Sequence, residues 1–391
     1  MERLKVVIIG AGMGGLATGI ALQQAGYEVE IYDRASELRP AGAAISLWSN
    51  GVKVLNRMGL GAEIAKIGGQ MERMAYYSHT GEQLTDFSLS PLVERVGQQP
   101  YPVARTDLQQ MLLETFGADK VCLNAKCVNI QQTPDSAIAS FADGQIATGD
   151  LAIGADGTHS AIRQYVVGRS VTRRYAGYVN WNGLVEASED LGPLNSWVLH
   201  VGEFKRASVM PVGGPNGERR FYYFFDVPMA DATEPLQADR REELARHFQG
   251  WADPVQRLIQ RLDPAKINRI AIHDVEPLET MVRDRVALLG DAAHSTCPDL
   301  GQGGAQAIED AFVLANCLVT NNLGVVDALK RYEALRQART ADIILRARKR
   351  SELTHGKDPA RTLQWYRDLK QEDGSGIIDG ICRTILTGPL Y

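Results

Sequence analysis

Residues 6–15 read Val-Val-Ile-Ile-Gly-Ala-Gly-Met-Gly-Gly, and this stretch decides the fold of the first part of the chain. Its apolar, β-branched start predicts a buried parallel strand. Gly10 then permits a tight turn, Gly12 lets the backbone approach a pyrophosphate, and Gly15 lets the next helix pack on the strand. That helix, predicted over residues 13–25, would direct its first N–H groups at the phosphates. The stretch therefore predicts a dinucleotide-binding β–α unit.

An acidic residue follows the second predicted strand. That strand covers residues 29–32, and Asp33 lies 18 residues beyond Gly15, close to the spacing of an acid that binds adenosine ribose hydroxyls. A carboxylate there would repel a 2′-phosphate, so the predicted dinucleotide is FAD or NAD rather than NADP. The alternative is a glycine-rich turn without a ligand, and the combination of strand, helix and acid argues against it.

Two later segments repeat the pattern of a strand that ends near an aspartate. Residues 150–155 predict a strand that delivers Asp156 to a turn, and residues 285–289 predict a strand that delivers Asp291. Asp291 suits the ribityl hydroxyls of a flavin. The helix that residues 301–304 open would stabilise negative charge on a reduced flavin ring. The three motifs in this order favour one flavin pocket over a generic nucleotide site.

The second and third motifs resemble those of the single-component FAD-dependent aromatic hydroxylases, the para-hydroxybenzoate hydroxylase family. The residues that carry the resemblance are Asp156, Gly157, Ser160 and Arg163 in one motif and Gly290, Asp291 and Pro298 in the other. It implies tightly bound FAD, no separate nicotinamide domain, and NADH as a transient electron donor. The cofactor-binding residues assigned by the motifs and this resemblance are Gly10, Gly12, Gly14, Gly15, Asp33, Arg34, Ser46, Arg105, Val128, Asp156, Asp291, Gly301, Gln302, Gly303, Gly304 and Ala305.

The predicted flavin strands are scattered along the chain, so the predicted fold is α/β with a discontinuous Rossmann-like FAD-binding domain. Its parts are residues 1–72, 99–174 and 276–391, the last of which ends in helices. Residues 73–98 and 175–275 are predicted to form an inserted, mostly antiparallel β-sheet domain for the substrate, because hydrophobic residues alternate there with a period of two. One face of that sheet would cover the pocket.

Four further segments are similar to the urate-hydroxylating members of this family, namely residues 174–183, 205–212, 220–228 and 298–304. The similarity implies hydroxylation of urate at C5 to give 5-hydroxyisourate. It also implies NADH and O2 as co-substrates and a hydroperoxide at flavin C4a as the oxygen donor. It assigns three catalytic residues, Arg206, Tyr222 and Asp299.

Each of these three residue types suits such a substrate. The forked guanidinium of Arg206 would bind the carbonyl oxygens and the charge of a urate monoanion. Tyr222 would hydrogen-bond the ring while packing against its face. Asp299 would accept a urate N–H bond or take a proton. The structural alternatives are an Arg206 on the surface, a Tyr222 in the core and an Asp299 that caps the next helix.

Other functions fit parts of the same pattern. A hydroxylase of a phenolic acid such as salicylate would keep the fold and change the substrate. A flavin-binding reductase or sensor would hold FAD without oxygenating anything. A plain NAD dehydrogenase is disfavoured, because it does not need the third motif.

The composition excludes several other classes of protein. A net charge of −5 and a pI near 5.9 argue against nucleic-acid binding, and the basic residues within 346–350 are interpreted as a solvated helix face. Five cysteines without CxxC spacing predict reduced thiols in a cytoplasmic protein, and the histidines show no metal-ligand spacing. Residues 6–9 are too short for the apolar segment of a signal peptide and run directly into the nucleotide-binding turn, so no signal peptide is expected. Because the apolar runs of the sequence are shorter than the roughly 20 residues that a membrane helix needs, no membrane helix is expected.

Overall fold

The computed structural model describes residues 4–38, 43–231, 239–320 and 324–390. The strands are β1 Lys5–Ile9, β2 Glu28–Tyr32, β3 Ala44–Ile45, β4 Arg73–Ser78, β5 Gln83–Ser88, β6 Val103–Ala104, β7 Val121–Cys122, β8 Cys127–Gln132, β9 Ala137–Phe141, β10 Ile146–Gly149, β11 Leu151–Gly154, β12 Arg173–Glu186, β13 Ser196–Gly202, β14 Lys205–Val212, β15 Arg220–Pro228, β16 Asn268–Val275, β17 Val282–Arg283 and β18 Val286–Leu288. The helices are α1 Met13–Gln24, α2 Ser49–Arg57, α3 Gly61–Ile67, α4 Ser90–Val96, α5 Arg105–Phe116, α6 Ile162–Val167, α7 Arg240–His247, α8 Asp253–Arg261, α9 Asp291–His294, α10 Gly303–Val319, α11 Val325–Thr354, α12 Pro359–Leu369 and α13 Ser375–Leu386. Short 3-10 turns cover Ala118–Lys120, Pro264–Lys266 and Pro298–Leu300.

A mainly parallel sheet carries the glycine-rich loop. Among the described residues its strand order is β17-β18-β11-β1-β2-β7, and every pairing is parallel except that of β17 with β18. In the centre, Val7 of β1 lies opposite Glu30 of β2 on one side and Ala152 of β11 on the other. The apolar residues of β1 and β11 are buried, as expected for central strands of a parallel sheet. The Rossmann-like fold predicted from scattered strands is confirmed.

Two smaller sheets support this region and were not predicted. An antiparallel sheet of order β10-β9-β8 docks through Phe141, whose ring stacks on Tyr32 at the end of β2 with centroids 4.6 Å apart. The short strands β3 and β6 pair with Ala44 opposite Ala104. That pairing brings Ser46 and Arg105 to the same region, although they are far apart in sequence.

The inserted sheet has the strand order β16-β12-β15-β14-β13-β4-β5 within the described residues. Only the β13–β4 pairing is parallel, so the sheet is mostly antiparallel, as predicted. Strands β4 and β5 join it from residues 73–88, more than a hundred residues before β13. The division of the chain at the predicted domain boundaries stays a prediction.

The two faces of this sheet differ, because side chains alternate along each strand. One face packs on α7 and α8, where Trp181, Phe225 and Phe248 are buried. The opposite face, called the inner face below, carries Tyr178, Asn180, Arg206, Tyr222, Phe224 and Asp226. The alternation therefore separates a structural core from a face with polar and aromatic chemistry.

Helices α10 and α11 pack around a buried ion cluster. Arg336 Nη1 lies 2.7 Å from Glu309 Oε2, and Arg336 Nε lies 2.6 Å from Asp310 Oδ1. His294 of α9 adds a contact of 2.6 Å from Nε2 to Asp310 Oδ2. Burial would raise the pKa of Asp310, but His294 and Arg336 outweigh it and lower that pKa to about 2. The cluster ties the third glycine motif to the C-terminal helices.

Of the basic residues near the end of α11, Lys349 is exposed, but Arg348 and Arg350 have partners within the fold, so the interpretation of a solvated face was wrong for these two. Arg348 Nε lies 2.9 Å from the buried carboxylate of Asp274. The guanidinium of Arg350 lies 4.5 Å from the ring centroid of Trp365. Partners from β16 and α12 neutralise or cover these side chains, and a local run of charges gives no sign of such distant partners.

Membrane-spanning helices, clusters of metal ligands and disulfide bonds were sought in the part of the chain that the structure describes. None of its helices is both long and apolar enough to cross a membrane. No group of three or more potential metal-ligating side chains occurs there. All five cysteines are free.

Candidate active site

The first glycine motif forms a tight crossing between β1, α1 and β11. Gly10 has φ +113°, and a Cβ on it would collide with the carbonyl group of Ala155. A Cβ on Gly15 would overlap the carbonyl oxygen of Gly10. Gly14 faces Leu289, whose Cδ2 atom would lie 2.8 Å from an added Cβ. These three glycines are therefore needed for packing, whatever the loop binds.

Gly12 differs from its neighbours because it faces open space. Its φ is −72°, which any residue can adopt, and an added Cβ would meet nothing within 4 Å. No side chain caps the N-terminus of α1. The first N–H groups of that helix are consequently available to an anion. The free space at Gly12 suits the pyrophosphate that the sequence predicted.

Asp33 lies beside this loop. Its Oδ2 accepts the Ala11 N–H at 2.7 Å, and its Oδ1 accepts the Ala35 N–H at 2.9 Å. Gln109 of α5 donates to the Ala11 carbonyl oxygen at 2.9 Å and keeps a buried Oε1 without a partner among the described residues. Sequence reasoning missed Gln109, although it lies one helical turn after the assigned Arg105.

Arg163 joins the second motif to the third. Its guanidinium donates to the carbonyl oxygens of Thr158 at 3.2 Å, Asp291 at 2.7 Å and Ala292 at 2.7 Å. Arg163 is only 4% exposed, so these bonds are shielded from water. One side chain thus fixes the relative position of two turns that are about 130 residues apart in sequence.

Asp156 organises the turn before α6. Its Oδ2 accepts the Ala161 N–H at 2.7 Å, while Oδ1 is buried without a partner in the described part of the chain. At the neighbouring Gly157 an added Cβ would meet nothing within 4 Å. The backbone at Gly157, rather than the Asp156 side chain, therefore borders open space.

Arg34, Val128 and Asp291 are exposed. Arg34 lies near the second motif, since burial and the charges of Arg173 and Arg34 lower the pKa of His159. Val128 lies at a bulge in β8 and is 55% exposed, which is unusual for a large apolar side chain. The side chains of these three residues are therefore left uncovered by the described part of the chain.

Residues 301–305 form a loop and helix start beside Ser46. Gly301 has φ +62°, and an added Cβ would collide with Ser46 Oγ and lie 2.8 Å from Trp48 Nε1. The side chain of Gln302 is held inside, where Oε1 accepts from Asn50 at 3.0 Å. No side chain caps α10 at Gly303 and Gly304, so backbone N–H groups remain free there. Ala305 is buried against α2.

Arg206 lies on the inner face between two buried carboxylates. Its Nε donates to Asp226 Oδ2 at 2.9 Å, and its Nη2 lies 2.7 Å from the same oxygen and 2.8 Å from Asp299 Oδ1. Arg206 stands opposite Asp226 in the register of β14 and β15. The guanidinium carbon is 5.5 Å from the ring centroid of Phe224. Nη1 donates to none of the described residues, so this amino group is left for a ligand.

The carboxylate of Asp299 is completely covered. Its Oδ2 accepts the Tyr178 hydroxyl at 2.7 Å, and its Oδ1 lies 3.6 Å from His355 Nε2 as well as against Arg206. Burial would raise the pKa of Asp299, but the charge of Arg206 and hydrogen bonds from His355 and Tyr178 hold that pKa well below its ordinary value. We call Tyr178, Arg206, Asp226, Asp299 and His355 the Arg206 cluster. Asp299 faces this cluster rather than open space.

Tyr222 offers a second free donor on the inner face. It lies four residues from Asp226 along β15, which corresponds to about 13 Å. Its hydroxyl has no hydrogen bond to a described residue, and its ring centroid is 5.9 Å from that of Phe224. Burial raises the pKa of Tyr222 despite the nearby charge of Arg105, so the hydroxyl stays protonated. The guanidinium of Arg105 likewise makes no ion pair within the described residues.

The sequence predicted Arg206, Tyr222 and Asp299 as catalytic residues, but it did not single out the residues that contact Arg206 and Asp299 in the structure. Asp226 could have been recognised from the sequence, because it is a carboxylate directly after the aromatic run at residues 221–225. It also lies an even number of residues from Tyr222, so the two side chains are expected on the same face of the strand. Tyr178 lies in a segment already noted for its similarity. His355 gives no local signal, since it follows a long helix and reaches the site only through the fold.

Comparison with protein families identifies the chemistry. The family profile described as "FAD binding domain" matches residues 3–347. The chain belongs to this family of flavin-dependent enzymes. It is 49% identical over 388 residues to FAD-dependent urate hydroxylase of Klebsiella pneumoniae subsp. pneumoniae, covering 99% of this chain and 100% of that protein. It is 49% identical over 390 residues to FAD-dependent urate hydroxylase of Mycolicibacterium vanbaalenii, covering 99% and 98%. Family membership and these relatives make the protein a flavin monooxygenase.

Solved structures of the family share the fold. Klebsiella pneumoniae HpxO complexed with FAD and uric acid aligns with a TM-score of 0.95 at 48% identity, covering 99% of this chain and 98% of that one. A salicylate hydroxylase substrate complex aligns with a TM-score of 0.78 at 23% identity, over 100% and 99% of the two chains, which shows the fold alone.

The described residues fit FAD as the cofactor of this family member. The open N-terminus of α1 at Gly12 suits the pyrophosphate, and Asp33 lies beside it. The uncapped start of α10 at Gly303 and Gly304 supplies free backbone donors for the flavin ring. The expected flavin cofactor is confirmed.

Proposed function

We propose that this enzyme hydroxylates urate at C5, using NADH and O2 and giving 5-hydroxyisourate, NAD⁺ and water. The proposal depends on the Arg206 cluster, which leaves the Nη1 amino group of Arg206 free on a sheet face that also carries Tyr222 and Phe224. It is supported by relatives that are urate hydroxylases over nearly their whole length and by the HpxO complex with uric acid.

Substrate recognition would use directed donors rather than a large positive field. The charge of Arg206 is offset by Asp226 and Asp299, so its contribution is mainly the geometry of Nη1. Tyr222 would donate its hydroxyl to the planar ring, with Phe224 beside it. Arg105, which lacks a described ion-pair partner, would supply the net attraction for a urate monoanion.

Bound FAD, once reduced by NADH, supplies the chemistry that activates O2 and delivers one oxygen atom. The chain itself would hold urate C5 within reach and keep water away from the site. The apolar neighbours Met210, Leu199 and Phe224 pack on the same side of the sheet and would exclude water. The proposed cofactor contacts are the residues predicted from the motifs, with backbone N–H groups of Gly12 to Gly15 at the pyrophosphate and of Gly301 to Ala305 at the ring.

Asp299 would act as a positioning residue in this scheme. Its carboxylate is covered and held ionised, so it is a poor acceptor for a substrate proton. It instead fixes Arg206 Nη2 from the side opposite Asp226. This differs from the expectation that Asp299 contacts urate directly.

Asp299→Asn is expected to lower urate hydroxylation by about 10- to 100-fold, because a misplaced Arg206 loses alignment with the substrate. Flavin reduction by NADH should change less than about twofold, since the glycine motifs are untouched. Stopped-flow measurement of flavin reduction, with 5-hydroxyisourate and H2O2 quantified in parallel, separates the two steps.

The matched control for this prediction is Asp190→Asn. Asp190 also pairs with an arginine, Arg261 at 2.6 Å, but Arg261 belongs to α8, which packs on the opposite face of the sheet, and the pair is partly exposed. Asp190→Asn should leave both flavin reduction and urate hydroxylation unchanged. Equal losses of flavin reduction and hydroxylation in Asp299→Asn would contradict a positioning role and indicate damage to the flavin site.

The proposed function is tested by titrating uric acid into the purified yellow protein with NADH while recording O2 uptake and H2O2 release. Urate should stimulate NADH oxidation, with about one O2 consumed per urate and little H2O2. Salicylate should be a poor substrate in the same assay. If salicylate were oxidised in preference to urate, without release of H2O2, salicylate rather than urate would be the substrate. If no aromatic compound stimulated O2 uptake, the protein would be a reductase or sensor.

A further inference from the structure

A row of polar side chains extends the inner face of the sheet beyond the Arg206 cluster. Asn180 and Asn182 belong to this row, because they lie two residues apart along β12 and so point to the same face. Asn180 stands opposite Asp226 of β15, and Asn182 stands opposite Asn268 of β16. Both β12 asparagines are buried, with 7% and 3% of their surface exposed. Buried amides need hydrogen-bond partners, and the proposed mechanism does not yet use these two.

These side chains form a continuous chain of hydrogen bonds. Asn180 Nδ2 donates to Asp226 Oδ1 at 2.7 Å, and Asn182 Nδ2 donates to Asn180 Oδ1 at 2.7 Å. Asn182 Oδ1 in turn accepts the backbone N–H of Ala43 at 3.2 Å. We call Ala43, Asn182, Asn180 and Asp226 the amide chain. Arg206 Nε donates to the other oxygen of Asp226 at 2.9 Å, so the amide chain ends on the proposed substrate-binding guanidinium.

The direction of the amide chain is fixed at both ends. The Asp226 carboxylate, which pairs with Arg206, can only accept, so Asn180 must present its amide nitrogen there. The carbonyl oxygen of Asn180 then faces Asn182, which must donate. At the opposite end the backbone N–H of Ala43 can only donate, and it therefore needs the oxygen of Asn182. A turned amide would place two acceptors or two donors against each other, so the two ends determine a single arrangement.

Ala43 joins the amide chain to the segment on the predicted flavin side of the pocket. It directly precedes β3, and its carbonyl oxygen accepts the Arg105 N–H at 3.0 Å. The same segment continues to Ser46, whose Oγ borders Gly301. Arg105, Ser46 and Gly301 are predicted flavin contacts. The amide chain therefore connects the backbone that would hold the flavin with the guanidinium that would hold urate.

We propose that Asn182 is a positioning residue for urate oxidation, because it couples the backbone at Ala43 to Asp226 and so holds Arg206 Nη1 in place relative to the flavin side of the pocket. The inference rests on the proposed function. In this scheme Asn182 acts through Asn180 and Asp226 rather than through contact with urate. Each buried amide has one arrangement that satisfies its neighbours, so a displacement of one member is passed to the next.

Asn182→Leu keeps a side chain of similar size and removes both its donor and its acceptor. Formation of 5-hydroxyisourate should fall about tenfold, with more NADH oxidation ending in H2O2, because Arg206 loses its alignment. The Kd for urate should rise about tenfold, measured from the absorbance change of the oxidised, FAD-loaded enzyme without NADH. Flavin reduction at saturating urate should change less than about twofold, since the glycine motifs are untouched. A normal Kd together with normal H2O2 release would overturn the proposal.

Asn182→Asp tests the direction of the amide chain and does not depend on the folding of the leucine variant. The new carboxylate has the shape of the amide and still accepts from Ala43, but it cannot donate to Asn180. Release of H2O2 should therefore rise as it does in Asn182→Leu. If Asn182→Asp released as little H2O2 as the unmodified enzyme, the direction of the chain would be irrelevant and the proposal would be wrong.

Double variants with Arg206→Gln separate positioning from packing and from charge. If Asn182 acts through Arg206, either substitution of Asn182 should lower urate hydroxylation by less than about twofold further in an Arg206→Gln enzyme. A residue that merely stabilises the sheet, or a carboxylate that merely repels urate, would lower hydroxylation by the same factor in both backgrounds. That outcome would contradict a positioning role.

Asn268→Leu is the matched control. Asn268 Nδ2 also donates to Asn182 Oδ1, at 3.2 Å, but it approaches from β16 and does not lie between Ala43 and Arg206. This variant should change the Kd for urate and the release of H2O2 by less than about twofold, because Ala43 still donates to Asn182. Losses equal to those of Asn182→Leu would indicate general damage to this part of the sheet and overturn the proposal. Failure of the proposed function would be seen separately, as a lack of urate-dependent NADH oxidation in the unmodified enzyme.

Discussion

Arg206→Gln is expected to lower urate hydroxylation by about 10²- to 10³-fold while NADH oxidation continues and ends in H2O2. The loss of a directed charge-assisted donor accounts for this magnitude, since Nη1 is the part of Arg206 left for the substrate. The variant also leaves Asp226 and Asp299 without their cation, which costs stability. Product, NADH and H2O2 are measured together, with the flavin content and melting temperature of each preparation.

The matched control is Arg269→Gln on the opposite face of the same sheet. Arg269 is similarly buried, lies 3.7 Å from Glu243 and stacks over Trp181, and its register opposite Trp181 places it on the face of the sheet opposite Arg206. The Arg269→Gln variant should keep NADH oxidation coupled to urate hydroxylation, with little H2O2 released. Arg206→Lys retains the charge but loses the forked donor geometry of the guanidinium. Its rate of urate hydroxylation should lie between those of the unmodified enzyme and Arg206→Gln. Normal coupling in Arg206→Gln would show that the assigned substrate contact is wrong.

Gly12→Ala should weaken FAD binding without unfolding the protein. A methyl group at Gly12 meets no protein atom within 4 Å, but it occupies the space through which a pyrophosphate would approach the backbone. We expect FAD affinity to fall at least about tenfold, the equivalent of about 1.4 kcal/mol. Flavin released on gel filtration and the melting temperature of the apoprotein are the measurements.

Gly15→Ala provides the contrasting case. Its methyl group would overlap the carbonyl oxygen of Gly10, so the helix α1 must move away from β1. The apoprotein should lose about 3 kcal/mol of unfolding free energy. If Gly12→Ala lowered the melting temperature as much as Gly15→Ala, the open space at Gly12 would not be a ligand site.

Local chemistry explains why much of the fold could be predicted from the sequence. The strand predicted at residues 29–32 is observed as Glu28–Tyr32, because a β-branched run between turn signals has few alternatives. Period-two alternation likewise predicted the two-faced sheet around Trp181 and Arg206. The glycines at 10 and 15 predicted a close crossing, which the structure shows.

The site was less predictable because its contacts depend on strand register and on distant helices. Arg206 meets Asp226 across a β-ladder and His355 across 149 residues of sequence. No periodicity encodes such pairings. The same limit explains the wrong interpretation of the basic residues in α11, since Asp274, the partner of Arg348, lies 74 residues away.

The position of β1 at the centre of the parallel sheet has a consequence for biosynthesis. Its neighbour β11 is translated about 145 residues later, and β18, beyond β11, ends only at Leu288. While the ribosome is still extending the chain, the earliest strand has no complete sheet to join. Coenzyme capture must therefore be a late event, and a nascent chain that stops short of Leu288 would be released colourless and prone to aggregate.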